Sequence, residues 1–191
     1  MKCLTFLACV CFSLVTKAQN KFSMDFRPAD STYSNDAKQY AQIWQEEGQR
    51  IIEAMERLSG MHFIDKKIIA NILETGSNSG YPNGPMTLRA SYDYDTKKGT
   101  IVHELGHRLH FSLNSKKYPR DINDHEILFL YLYDVWVELY SVDFANKMVT
   151  VESKRVNPRN NYKLMWENAL AMSKEERKMK LKEFVEKIGF E

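Results

Sequence analysis

Residues 100–113 read TIVHELGHRLHFSL. Ile101, Val102, Leu105, Leu109 and Leu113 recur at helical spacing and share one arc of a helical wheel. His103, His107 and His110 fall on the opposite arc. A solvated helix face is usually built from Lys, Glu and Arg, so a stripe of imidazoles has another purpose. Residues 103–107, HELGH, match H-E-x-x-H. On a helix the two histidines, four apart, project from one face and can share one tetrahedral ion, and neutral imidazole suits Zn²⁺. Glu104 lies about 100° around the helix from His103. There its carboxylate can take a proton from a water activated by the ion without becoming a ligand itself.

A catalytic zinc takes three protein ligands, so a third must come from elsewhere. The extension H-E-x-x-H-x-x-G-x-x-H fails, because His110 stands at the Gly position and Leu113 at the last His. His110 reads as a pocket wall or a support for the ligands, and His62 and His125 read as surface residues flanking predicted elements. Carboxylates remain. Residues 127–142, ILFLYLYDVWVELYSV, are almost wholly apolar and carry two charges, Asp134 and Glu138. A buried carboxylate is costly unless it is paired, hydrogen-bonded or bound to metal. Glu138 is therefore the expected third ligand, with Asp134 next in line.

HELGH with Glu138 on a second helix resembles the gluzincins, zinc peptidases with two histidines and a downstream glutamate. Residues 138–144, ELYSVDF, resemble the E-x-[FY]-[AS]-x-x-F helix of the lethal-factor-like branch. The likeness covers roughly residues 66–146. It implies a zincin-like α+β fold, with a small sheet and its edge strand beside the HExxH helix and the Glu-bearing helix. It implies zinc held by His103, His107 and Glu138, Glu104 as general base, and Tyr131 or a neighbouring Tyr or His stabilising the oxyanion. It further implies a peptide or protein substrate lying along the edge strand that carries Arg89, Tyr92 and Tyr94. One departure stands out. The thermolysin-type pattern places Asp four residues after the Glu; that place is Val142, so Asp143 and Asp134 compete for the supporting role. Two other readings remain. One is a non-catalytic binding module on the same scaffold, against which Glu104 argues. The other is a different zinc-dependent amide hydrolase. Zinc deaminases are excluded, since their paired cysteines are missing.

Outside the core, residues 1–18, MKCLTFLACVCFSLVTKA, have the layout of a secretory signal peptide cleaved before Gln19. The apolar run is too short for a stable membrane span. A secreted or periplasmic protein is expected. A lipoprotein acylated at Cys9 or Cys11 fits less well, since Leu7 sits one place too close to Cys9. All three cysteines fall in this segment, so residues 19–191 form no disulfide. Of the 27 Lys and Arg, two lie here, which leaves the remainder with 25 charges of each sign. No basic stripe survives, and no nucleic-acid partner is expected.

Residues 19–191 read as one domain. They comprise an extended arm over 19–33, a helix over 34–59 stopped by Gly60, strands over 66–74 and 86–94, and a loop between them. The motif helix over 100–113 follows, then a long helix from Asp124 to about Val149, and two more over 161–172 and 174–189.

Overall fold

The computed structural model describes residues 22–119, 121–158 and 160–191, so the expected signal peptide, 1–18, lies outside the described residues. Among the described residues the fold is α+β, with three parallel strands and six α-helices. β1 (Ser23–Pro28), β2 (Lys67–Leu73) and β3 (Met86–Arg89) lie in that order across the sheet. β1 pairs with β2 from Ser23↔Lys67 onward, and β2 with β3 from Ala70↔Met86. The stretch expected as an extended arm is thus partly a strand. Its pattern showed no period because β1 is half-buried rather than cleanly two-faced.

Parallel neighbours need a crossover. Between β1 and β2 it is α1 (Ser34–Ser59), which lies where its periodicity placed it and packs on the sheet through Tyr40, Ile43, Ile51 and Met55. Gly60 ends it at φ 72°, a left-handed position that glycine takes without a steric penalty. Between β2 and β3 the crossover is the loop 74–85. Gly80 is required there: a Cβ would meet the Pro85 carbonyl oxygen at 2.0 Å.

β3 is shorter than the expected 86–94. Asp93 accepts from the Thr96 amide and caps α2 (Tyr94–His110), so the motif helix starts two turns early and Tyr94 belongs to it. The expected long helix is two. α3 (Asp124–Leu139) ends at Tyr140, and Ser141 caps α4 (Val142–Ser153) by accepting from the Phe144 amide. α5 (Tyr162–Leu170) and α6 (Lys174–Ile188) complete the chain, the latter opened by a Ser173–Glu176 capping box. Among the described residues no helix is long and apolar enough to cross a membrane.

α2 runs through the centre of the molecule. Ile101, Val102, Leu105 and Leu109 are fully buried, as the wheel requires. On the histidine arc His103 and His110 are buried and His107 is partly covered, because α3 and α4 pack over it. Gly106 permits this: a Cβ there would meet Leu128 Cδ1 at 2.2 Å. Tyr131 closes the same crossing, its hydroxyl donating to the Gly106 carbonyl at 3.1 Å.

Candidate metal centre

Three imidazoles converge. His103 and His107 come from α2, four residues apart, with their Nε2 atoms 3.2 Å from one another. His125 comes from the first turn of α3, and the donor nitrogens of all three lie within 4.8 Å. The His125 ring centroid is 4.6 Å from that of His107 and 5.4 Å from that of His103. Two nitrogens bound to one tetrahedral zinc at 2.0–2.1 Å stand about 3.3 Å apart, so the Nε2 spacing fits a shared ion.

The far side of each α2 ring is held by a carboxylate. His103 Nδ1 lies 2.6 Å from Glu152 Oε1, and Glu152 also accepts from the Trp166 indole at 3.1 Å. His107 Nδ1 and His110 Nδ1 both face Asp124, which accepts from the Tyr118 hydroxyl at 2.9 Å as well. A carboxylate only accepts, so the ring protons of His107 and His110 sit on Nδ1 beside Asp124, and the Nε2 of His107 faces that of His103. This is how metal-binding histidines are usually oriented.

The charges of the cluster are coupled. Burial works to raise Asp124, but His110 and His107 outweigh it and hold the carboxyl well below its usual range. Burial opposes His107 in turn, and Asp124 nevertheless raises it. Glu152 is fully enclosed, yet His103 keeps it below the ordinary carboxylate value. Burial first, then His103 and His107, push His125 down to about 2, so it is neutral and offers a lone pair.

Glu104 lines the same cavity of about 470 Å³, whose other walls include Ser77, Ser79, Asn123, Arg155, Asn160 and Tyr162. The expected pairing of two histidines with an adjacent Glu thus comes together. Glu138 does not join them. It is 13 residues beyond His125 on α3, about 20 Å along the axis and on another face. It is half-exposed, pairs with Arg57 of α1 and lines a separate cavity. Its apolar neighbourhood in sequence is real, but the helix turns this position outward.

Asp134, the next candidate, takes Arg177 of α6 through both oxygens at 2.8–3.2 Å. Asp143 is exposed in the first turn of α4. Tyr131 is fully buried, with its hydroxyl between the Gly106 carbonyl and His110 Nε2 at 3.2 Å. It joins α2 to α3 and does not line the 470 Å³ cavity. His62 packs on Phe190, away from the centre. Nor is the β3 edge open at its middle. Asn78 pairs with Thr87 through both backbone bonds, at 2.9 and 2.8 Å.

Sequence reasoning missed His125, Asp124 and Glu152. A signal existed for one of them: Glu152 continues the buried stripe Ala145, Met148, Glu152 on α4, a carboxylate in a core position. Comparison with family models, with curated proteins and with solved structures found no match.

Proposed function

We propose that the protein is a zinc-dependent hydrolase of amide bonds, peptides foremost, with His103, His107 and His125 as the metal ligands and Glu104 as the general base. One observation carries the reading. Three imidazoles converge beside a glutamate, and the two from α2 are backed by carboxylates. Zinc would supply there a water acidified toward pH 7 and polarisation of the substrate carbonyl. Glu104, on the floor of the cavity, accepts the water's proton and delivers it to the leaving nitrogen. Asp124 and Glu152 fix the rings and make them better donors. With Tyr131 buried, the Tyr162 hydroxyl is a cavity group able to face a developing oxyanion.

A zincin-like arrangement, two helices crossing to assemble the ligands, is part of this reading. The glutamate ligand of a gluzincin is not, since His125 stands in its place. Export by residues 1–18 also belongs to the proposal.

The test is paired. Zinc content and hydrolysis of a peptide library are measured on the wild type and on Glu104→Gln. The variant is expected to keep one zinc per chain and to lose on the order of 10²–10⁴ in rate, because an amide cannot accept the proton. Equal, nonzero hydrolysis by both would remove Glu104 from the mechanism. A zinc-bound protein that cleaves nothing in either form would favour a binding module.

A further inference from the structure

The geometry points to Arg155 as the anchor for the C-terminal carboxylate of a short peptide substrate; this deepens the zinc-hydrolase reading and rests on it. Arg155 follows the last turn of α4, the helix that delivers Glu152 to His103. Among the described residues it is the one Lys or Arg lining the histidine cavity. The cavity walls also carry the neutral Ser77, Ser79, Asn160 and Tyr162 and the carboxylates of Glu104 and Asp124.

The guanidinium is only loosely paired. Glu152 Oε1 stands 2.6 Å from His103 but 3.7 Å from Arg155, and its second oxygen takes the Trp166 indole. Arg177 shows what a satisfied guanidinium looks like in this molecule, with both oxygens of Asp134 at 2.8–3.2 Å. The fork of Arg155 thus retains its capacity to take a carboxylate through two parallel hydrogen bonds. One Glu152 oxygen contacts both His103 and Arg155, so a carboxylate on this fork lies close to an amide at the metal.

A second observation shortens the substrate. An extended peptide usually runs along the edge of a sheet by adding a strand. Here the chain's own Ser77–Ser79 segment occupies that edge: Asn78 takes both backbone groups of Thr87, and Ser77 Oγ accepts from the Arg89 amide at 3.1 Å. A chain continuing past the cavity finds no free ladder at Thr87. A chain ending inside it finds a cation.

The probes are hydroxamates, which chelate zinc whatever side chain the enzyme prefers. Succinic and glutaric monohydroxamate carry a carboxylate at two reaches, and butyrohydroxamate is the uncharged control. Calorimetry is run on the zinc-loaded protein, on Arg155→Gln and on Arg155→Lys, with zinc content and thermal stability checked in each. At least one carboxylate probe is expected to bind the wild type about tenfold to a hundredfold more tightly than the control. Arg155→Gln should abolish that advantage and leave butyrohydroxamate unchanged. Arg155→Lys should keep part of it, and serves alone if the Gln variant loses zinc. An equal affinity of all three probes for the wild type, or an advantage that survives Arg155→Gln, overturns the assignment. Failure to take up zinc at all would instead sink the reading beneath it.

Discussion

At the residue scale, the proposed third metal ligand is what sets the two histidines legible in the chain apart from the residue that would complete them. His125 is neutral, half-buried against His103 and His107, and brought by α3 to within reach of both. Glu138 is occupied by Arg57. His125→Ala is therefore expected to lower zinc affinity by orders of magnitude, and Glu138→Ala to leave it unchanged within twofold. Zinc competition with a chromogenic chelator measures both. Glu152→Gln should sit between them, at about 10–100-fold, because it removes the acceptor behind His103 without touching a ligand. Loss of zinc in Glu138→Ala with retention in His125→Ala would reverse the assignment.

At the element scale, α2 depends on its cap. Asp93 accepts from the Thr96 amide at 2.7 Å, and that bond first of all holds its carboxyl below the ordinary value. A group whose pKa is lower folded than unfolded stabilises the fold above its unfolded pKa, near 3.9 for Asp, and the contribution fades as pH falls through the folded value. Asp93→Ala should cost about 1 kcal/mol at neutral pH. The gap from wild type should shrink below about pH 4, where both proteins lack the charge. Urea unfolding at pH 7 and pH 3 reads both numbers, and a pH-independent gap would show that the cap acts without its charge. The break between α3 and α4 has a similar local origin in Ser141. It was hidden in the sequence because the apolar pattern runs through the break without interruption, and a cap at Ser141 competes with Ser simply continuing the helix.

At the scale of the whole molecule, the buried carboxylate of α3 is a fastening. Asp134 and Arg177 are both largely enclosed and join α3 to α6. Removing one partner strands a buried charge. Arg177→Met should cost about 3–5 kcal/mol, whereas Arg177→Met with Asp134→Leu should recover most of it. Zinc affinity of the folded protein should not move in either, since neither residue approaches the histidines. Chemical denaturation with a zinc titration at low denaturant checks this. A shift in zinc affinity in the single variant would tie α6 to the centre.

What the sequence by itself determined was local. The pairing of His103 with His107, the place of Glu104 one step around the helix, the span of α1 and the capped start of α6 follow from spacings of at most a turn or two. The 3.6-residue period converts such spacings directly into direction. The tertiary structure alone decided which side chain completes the triad, which carboxylates hold its rings and which acid is spoken for. His103 meets Glu152 across 49 positions of chain, and Asp134 meets Arg177 across 43. The sequence shows that Asp134 and Glu138 must each be dealt with, because an apolar helix cannot bury a charge alone. It does not show how, since a cation from α6 or α1 solves that problem as well as a metal does. The choice is made by how α3 crosses α2 at Gly106, a packing that turns the first turn of α3 toward the imidazoles and carries its last turn away.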